Sequence, residues 1–464
     1  MKIMLLFPGI SGIGFNSYGK GMEESWISHG LCSISAYAKK EGFTVELIDL
    51  RCLENWSHFN QIIIEKKPDV VGITMMSVDY NPAIKSIKII KKASPHTIVV
   101  VGGPHPTIML EEIEKEKNID HIITGEGEIS FTGLLKNIEK GDCSPIVIKG
   151  VVPEDLDKLP FADRELFQNL EYPLPVDGFE NPFVTVIAGR GCKYNCNYCQ
   201  PAERIIFGKK VRRRSPANVI QELKILREKY AFKSMMIHDD CITEDRPWVI
   251  EFCRLYKENG FSQPFACQSR ADIICRNKDM VQLMADTGLN IMFIGFESGI
   301  QRVLNFLRKG TKVEHNYRAA EICSKYGVKI WANYMMGIPT ETKEEVMDTV
   351  RMIQTIKPNH YSPAFYTPHP GSDLFKYCED NGLSLIKNHD SYRRNATEAK
   401  IKGVDYKFLH KALMASMGYE LPEKSTLFLF LERKMMPFFL RHPRLKNIIK
   451  MIIMKLGFLK SSVK

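Results

Sequence analysis

The stretch "VIAGRGCKYNCNYCQPAERIIFG", residues 186–208, places three cysteines within eight residues of a loop rich in glycine and asparagine. They are Cys192, Cys196 and Cys199, and the loop follows an apolar, strand-like run. The first residues, "MKIMLLFPGISG", are predicted to form a strand and not a signal peptide. Twelve cysteines in 464 residues are too sparse for a disulfide scaffold, so the spacing indicates metal binding in a reducing cytoplasm.

The number of clustered thiols narrows the choice of metal. A structural zinc ion takes four protein ligands, and the nearest further candidate, His238, lies in a different strand segment. A 4Fe–4S cluster is normally held by four thiolates, so three would leave one iron open to an external ligand. Zinc remains an alternative at this point, and the missing fourth ligand favours the cluster.

The cysteine loop belongs to a series of six alternating strand and helix segments. The strand runs are 183–189, 234–240, 265–270, 291–298, 330–337 and 361–368. Apolar runs separated by helix-period segments are typical of a parallel sheet with helices on its faces. Six such units predict a complete or partial TIM-type barrel, whose chemistry lies where the strands end.

The pattern C-x3-C-x2-C, with the aromatic Tyr198 before the last cysteine, resembles that of the radical S-adenosylmethionine (SAM) enzymes. The resemblance implies a 4Fe–4S cluster on the three cysteines, with SAM chelating the open iron. It implies cleavage of SAM to a 5′-deoxyadenosyl radical, which removes a hydrogen from the substrate. It also implies a partial (β/α)6 barrel, in agreement with the six segments counted above.

The same resemblance implies SAM-binding residues where the strand runs end. Asp239 and Asp240 follow the second run and are expected near the methionine amine. Ser269 and Arg270 follow the third run, where the guanidinium could hold the methionine carboxylate. Glu297 is expected to bind ribose hydroxyls. The alternative for each is an ion pair at the barrel rim.

The segment "MMGIPTET", residues 335–342, resembles the glycine motif that lines the adenine of SAM, with Gly337 as its glycine. Two residues depart from the family pattern. Asn333 stands where a glycine is common, and the acidic Glu341 comes one position late. We therefore do not expect Glu341 to be a dependable ligand.

Residues 1–150 form a separate series of alternating segments. Strand runs lie at 3–7, 44–50, 69–77, 97–103 and 121–128, with helix-period segments such as 33–42 and 81–94 between them. Five units predict a doubly wound parallel sheet that binds any ligand at the carboxyl ends of its strands. Glycines are concentrated at those ends, in "FPGISGIG", "VGGPHPT" and "TGEGE".

A doubly wound domain before such a barrel resembles the cobalamin-binding radical SAM proteins over residues 1–380. The resemblance implies that the nucleotide tail of cobalamin enters the carboxyl edge of the sheet, where glycines permit close backbone approach. The residues expected to contact the tail or the ring are Ser77, Gly102, Gly103, Thr107, Gly125 and Glu126. The alternative is a related sheet that has lost its corrinoid.

Two motifs of related proteins are missing. Other cobalamin proteins carry D-x-H-x-x-G after the first strand, and here His29 stands without the aspartate. We therefore expect cobalt without a histidine ligand. The methylthiotransferases carry additional amino-terminal cysteines, whereas Cys32, Cys52 and Cys143 show no clustered spacing.

The predicted organisation is α/β, with the doubly wound sheet (1–150), a proline-spaced linker (151–180), the partial barrel (181–375) and a helical C-terminal region (376–464). The two cofactors together imply C-methylation of an unactivated carbon in a small molecule or lipid. Oxidative cyclisation or rearrangement on the same scaffold is the alternative, and a non-catalytic corrinoid sensor or carrier is a third reading. An electron donor such as flavodoxin or ferredoxin is implied.

The distribution of the net charge of +10 argues against nucleic acid as a partner. Residues 422–464 hold ten basic and two acidic residues, so most of the excess lies in the tail. Its apolar and lysine residues alternate at helical spacing, which suits either an amphipathic helix on an anionic membrane or a helix that caps the barrel. The basic run "GKKVRRRS", 208–215, is predicted to be a solvated face. No segment reaches the length of a membrane span.

Overall fold

The computed structural model describes residues 1–167, 171–199, 203–393, 399–420 and 460–461. Its first unit is a parallel sheet of six strands in the order β2-β1-β3-β4-β5-β6. The strands are β1 (Ile3–Phe7), β2 (Val45–Asp49), β3 (Val70–Thr74), β4 (Ile98–Gly102), β5 (His121–Thr124) and β6 (Val147–Lys149). The helices are α1 (Met22–Ser25), α2 (His29–Lys40), α3 (Trp56–Lys66), α4 (Tyr80–Ala93), α5 (Pro104–Ile108), α6 (Leu110–Ile113) and α7 (Glu128–Glu139).

This sheet is buried on both faces. Successive side chains of a strand point to opposite faces, and in β1 Met4 and Leu6 join one hydrophobic cluster while Ile3 and Leu5 join the other. The strand order reverses at β1, as in doubly wound folds. The predicted sheet is confirmed, and β6 is an additional strand.

The second unit is an open sheet of six parallel strands in the order β14-β13-β12-β11-β10-β7, so each strand pairs with the next one along the series. The strands are β7 (Phe183–Val186), β10 (Ser234–Ile237), β11 (Phe265–Ser269), β12 (Leu289–Glu297), β13 (Lys329–Met336) and β14 (His360–Phe365). The helices are α8 (Glu203–Ile206), α9 (Pro216–Tyr230), α10 (Arg246–Glu258), α11 (Ala271–Arg276), α12 (Lys278–Ala285), α13 (Gln301–Phe306), α14 (Val313–Lys325) and α15 (Lys343–Ile356). This is the predicted partial barrel.

Local sequence signals set the helix starts in the barrel. Thr342 and Glu345 form a reciprocal capping box that begins α15. Ser215 accepts a hydrogen bond from the Asn218 amide and begins α9, followed by a proline at its first position. Because such caps fix where each helix begins, they also fix the loops that leave the carboxyl ends of the strands.

Short elements complete the description. The loop after β7 carries the antiparallel pair β8 (Gly189–Arg190) and β9 (Arg212–Arg213), and β15 (Tyr419–Glu420) pairs with β16 (Lys460–Ser461). The C-terminal region contains α16 (Asp373–Asp380) and α17 (Tyr406–Ser416). The predicted amphipathic tail helix lies outside the described residues. In the parts of the chain that are described, no helix is both long enough and apolar enough to cross a membrane.

Candidate active site

The three-cysteine loop leaves the carboxyl end of β7 and is fixed at its centre by Asn197. The Asn197 side chain donates to the carbonyl of Phe306 at 2.6 Å, and its amide donates to the carbonyl of Leu307 at 3.1 Å. Its own carbonyl accepts from the Leu374 amide at 2.8 Å. The loop is therefore attached to the segment after α13 and to the start of α16.

The three cysteines are partly buried and affect one another electrostatically. Burial raises the pKa of Cys192 to about 11, and Cys196 contributes to that rise. Burial, together with Asp240 and the two other cysteines, raises the pKa of Cys199 further. Three adjacent thiolates in this loop therefore require a cationic partner, which is what metal binding supplies when it displaces the thiol protons.

The donor set distinguishes between the two metals. Cys192, Cys196 and Cys199 are all free thiols of intermediate burial in one loop. A structural zinc ion takes four protein ligands, whereas three thiolates on a 4Fe–4S cluster leave one iron open. The three-cysteine donor set fits the cluster.

Arg270 lies against the cysteine loop at the end of β11. Its Nη1 is 3.7 Å from Cys196 Sγ, and its guanidinium lies 3.6 Å from the centre of the Tyr194 ring. Its Nε donates to Asp272 at 3.0 Å, and its Nη2 donates to the carbonyl of Lys309. Arg270 therefore places a buried positive charge beside the cluster site.

Lys309 joins two further predicted residues. Its ammonium is 2.9 Å from Glu297 Oε1 and 3.2 Å from the Tyr198 hydroxyl. Glu297 ends β12 with a φ of 60°, a conformation uncommon outside glycine and asparagine. Tyr198, Arg270, Glu297 and the cysteine loop are thus brought together, with Lys309 at their centre.

Asp239 has both carboxylate oxygens engaged. Its Oδ1 accepts from the Ala188 amide at 2.7 Å, and its Oδ2 accepts from Arg213 at 3.0 Å. Burial raises its pKa to about 6, although Arg213 opposes the rise. Ser269 likewise bonds Thr243 at 2.7 Å. In this structure Asp239 holds the strand end from which the cysteine loop leaves, and its contact with SAM stays a prediction.

Asp240 lies beside Glu203, a residue that sequence reasoning missed. Burial and the charge of Asp240 raise the pKa of Glu203 to about 9, and burial also raises the pKa of Asp240. Both residues line a cavity at the barrel rim. Carboxyl groups there suit recognition of an ammonium group.

The loop after β13 is closed by Glu341. Its Oε2 accepts from the amides of Gly337 at 2.7 Å and Ile338 at 3.2 Å. Gly337 has a φ of 75°, and a side chain there would approach Leu409 to 2.6 Å. Glu341 therefore fixes the glycine loop, while the adenine contact predicted for Gly337 stays a prediction.

A cavity of about 470 Å³ lies between the carboxyl edge of the first sheet and the barrel rim. From the first unit, Gly102, Gly103, Gly125 and Glu126 line it. The barrel contributes Gly189, Arg190, Glu203, Asp239 and Asp240, among others. Gly103 and Gly125 both have positive φ, and no neighbouring atom lies within 4 Å of where a Gly125 side chain would begin. Gly125 therefore offers open backbone to a ligand, and close approach of cobalamin to the sheet edge would use such a position.

Ser77 and Thr107, which were also predicted to contact cobalamin, are not among the residues that line this cavity, and their side chains bond to protein groups. Ser77 Oγ lies 3.0 Å from His105 Nδ1. Thr107 Oγ1 accepts from the Gly125 amide at 2.8 Å and so fixes that glycine loop. Glu126 is paired with arginines of the barrel loop, including Arg212 Nη1 at 3.2 Å.

The basic run at 208–215 is not the solvated face that we expected. Lys209 and Lys210 are exposed, but the side chains of Arg212, Arg213 and Arg214 are only 10–13% exposed. These arginines pair with Glu126, Asp239 and Glu222 respectively. The expectation was wrong because the antiparallel pairing of β8 with β9 brings these arginines next to buried carboxylates.

The family comparisons agree with this geometry. Two family models match the chain: B12 binding domain over residues 21–135, and Radical SAM superfamily over residues 186–353. The uncharacterized methyltransferase PH0819 of Pyrococcus horikoshii is 30% identical over 389 residues, covering 80% of this chain and 83% of that protein. The chain therefore belongs to the cobalamin-binding radical SAM enzymes, the family that the cysteine loop and the glycine-rich sheet edge predicted.

Two further similarities are informative. An anaerobic magnesium-protoporphyrin IX monomethyl ester cyclase of Rubrivivax gelatinosus is 25% identical over 408 residues, covering 82% of this chain and 70% of that protein. The fold resembles the radical SAM methyltransferase TsrM of Kitasatospora setae, solved with cobalamin and a [4Fe–4S] cluster bound. The TM-score is 0.67 at 15% identity, with 89% of this chain and 90% of that chain covered.

Proposed function

We propose that this enzyme uses a 4Fe–4S cluster, SAM and cobalamin to methylate an unactivated carbon of a small molecule or lipid. The observation that carries the proposal is the shared cavity, which places the glycine edge of the first sheet opposite the barrel rim that leads to the cysteine loop. When bound, the cluster with SAM supplies a hydrogen-abstracting radical, and cobalamin supplies a transferable methyl group.

The residues of the chain have separate tasks in this proposal. Cys192, Cys196 and Cys199 hold the cluster, and Arg270 stabilises the thiolate charge beside it. The carboxyl groups of Asp240 and Glu203 face the SAM ammonium. Gly102, Gly103 and Gly125 admit the corrinoid tail.

The direct test uses SAM with a trideuterated methyl group. Anaerobically reconstituted protein is incubated with reductant and an extract of its source cells, and products are analysed by mass spectrometry. We expect 5′-deoxyadenosine and a new metabolite that carries three deuterium atoms. Cys196→Ala should abolish both, whereas Cys275→Ala, a partly buried barrel cysteine, should retain both.

The other outcomes have specific meanings. Formation of 5′-deoxyadenosine with an unlabelled, dehydrogenated or cyclised product would replace methylation by oxidative cyclisation, which the similarity to the cyclase of Rubrivivax favours. Retention of cobalamin without any cleavage of SAM would identify a corrinoid carrier.

An acidic one-electron donor, such as a flavodoxin or ferredoxin, is proposed to dock beside the cysteine loop. Lys209 and Lys210 are exposed in the segment that follows the loop, and the side chain of Lys193 is 51% exposed within it. Charge complementarity acts mainly on the association rate. Replacing Lys209 and Lys210 by glutamate should slow turnover with flavodoxin several-fold. Turnover with dithionite, a small chemical reductant, should not change. If the variant and the wild type turn over at the same rate with flavodoxin, this docking site is wrong.

Membrane contact through residues 422–464 is proposed on the sequence pattern alone. Flotation with anionic liposomes, with and without these residues, tests it. Equal flotation of the two proteins would exclude the tail as the contact.

A further inference from the structure

A second group of metal-ligating side chains lies away from the cysteine loop, where the first sheet meets the C-terminal region. His105 belongs to α5, directly after β4, and Glu112 belongs to α6. His389 begins a short 3-10 helix, His389–Ser391, that packs against the first unit. One ligand atom from each of the three side chains lies within 4.8 Å of those of the other two.

The distances suit a single ion. His105 Nε2 is 3.4 Å from Glu112 Oε2, and His389 Nε2 is 3.2 Å from Glu112 Oε1. Bonds of about 2.0–2.1 Å in a tetrahedral zinc site separate neighbouring ligand atoms by roughly 3.3 Å. The observed separations therefore match the edges of such a site.

The buried nitrogen of His105 points to a missing ligand. The side chain is fully buried, and among the described residues its Nε2 forms no hydrogen bond, with only the Glu112 carboxylate 3.4 Å away. Its Nδ1 is 3.0 Å from Ser77 Oγ, the kind of contact that fixes the ring orientation of metal-binding histidines. A buried nitrogen without a partner is costly, and a metal ion would satisfy it.

The surroundings favour a preformed site. The His105 ring is fully buried, and the His389 ring packs edge-on against it at 5.4 Å between ring centres. The Tyr80 ring stacks on His389 at 3.9 Å and contacts His105 edge-on at 5.3 Å. Glu112 remains about one-third exposed, which leaves room for a water molecule as a further ligand.

We propose that His105, Glu112 and His389 bind a divalent transition-metal ion, for which two imidazoles and a carboxylate are the appropriate donors, zinc being the simplest fit. The ion would tie the segment at His389 to the end of β4. That strand ends at Gly102, which lines the shared cavity, so the site would brace the proposed corrinoid edge from outside.

The test is zinc binding to full-length protein whose cluster has been reconstituted. We expect one zinc ion per chain after equilibration with a zinc buffer, and X-ray absorption showing nitrogen and oxygen ligands without sulfur. His389→Ala, at a partly exposed position, should weaken zinc binding at least tenfold and remove the zinc-dependent rise in Tm. His96→Ala, an exposed histidine of the same unit, should bind as the wild type does.

Two further variants make the result decisive. Glu112→Gln keeps the size of the side chain and should also lose zinc, which answers the question if His389→Ala does not fold. A variant with Cys192, Cys196 and Cys199 all replaced by alanine should retain the zinc site. Absence of zinc in the wild type, sulfur in its coordination shell, or unchanged binding by Glu112→Gln would overturn the proposal.

Discussion

The Lys309 ammonium lies 2.9 Å from the Glu297 carboxylate, and both side chains are at least 90% buried. Burial acts to lower the pKa of Lys309, but the charges of Glu297 and Cys196 and the hydrogen bond to Glu297 together raise it. Gly295 leaves the space for this pair, since a side chain there would begin 2.7 Å from the Lys309 nitrogen. The pair fixes the strained end of β12 beside the cysteine loop.

Lys309→Met should destabilise the protein by about 3–5 kcal/mol, because it leaves Glu297 buried without its countercharge. Urea unfolding measures the change. Lys343→Met, which removes a mostly exposed pair with Asp405, is the control and should change little. Equal, small effects of the two substitutions would show that Glu297 does not depend on Lys309.

The stability of the protein should depend on the ionisation of Glu341. Burial raises its pKa to about 7, although the amides of Ile338 and Gly337 oppose the rise. The folded state therefore holds this proton more tightly than the unfolded chain, whose glutamate pKa is about 4.3. The resulting stability is fully present below pH of about 4.3 and is lost as the pH rises through about 7.

Glu341→Gln should remove this part of the pH dependence while keeping an acceptor for the two amides. Relative to wild type, the variant should gain stability between pH 5 and pH 8 in urea unfolding. The exposed Glu344→Gln is the control. A constant difference between Glu341→Gln and wild type across that range would contradict the assignment.

Arg190 joins the two units across the shared cavity. Its Nη2 lies 2.5 Å from Glu128 Oε1, and its Nη1 pairs with Glu126. Burial acts to raise the pKa of Glu128, but its interactions, led by the charge of Arg190, lower the pKa overall. The buried carboxylate is therefore ionised. Removing one partner of such a pair typically costs about 3–5 kcal/mol.

Arg190→Ala should therefore loosen the contact between the units and reduce the cobalamin retained after gel filtration to less than half of the wild-type amount. Arg254→Ala, which removes surface pairs on α10, should retain cobalamin fully. Full retention by Arg190→Ala would separate cobalamin binding from this ion pair.

His29 bonds to a protein side chain, and the absence of a histidine ligand on cobalt stays a prediction. Thr185 donates its single hydroxyl proton to Glu171 at 2.6 Å, so the 2.7 Å contact of His29 Nε2 with Thr185 Oγ1 requires the histidine to donate. Burial lowers the pKa of His29 well below its usual value. His29→Ala should leave the visible spectrum of bound cobalamin unchanged, and a shift toward a form without a lower ligand would contradict this.

The sequence predicted the architecture well because buried parallel strands are continuous apolar runs. The strand β6 was missed because it has only three residues, none of them buried. The cysteine loop could be predicted because ligand spacing is local. The side chains that contact the cysteine loop could not be predicted. Lys309 bonds Tyr198 although the two residues are 111 positions apart in the sequence, and no local pattern marks such a contact.

Carboxylates at strand ends illustrate the same limit. Asp239, Asp240 and Glu297 were all predicted at the rim from their positions, and the structure places them there. Their hydrogen-bond partners come from other loops, as Glu203 does for Asp240. The sequence therefore identifies which side chains reach the rim but not which of them are left free for a ligand.

The most direct test of the account is the paramagnetic spectrum of the reduced, reconstituted protein before and after SAM is added. We predict a four-iron cluster whose spectrum changes on addition, with magnetic coupling to isotopically labelled amine nitrogen and carboxylate oxygen of SAM. An unchanged spectrum without such coupling would mean that no iron is open to SAM, and it would contradict the radical mechanism.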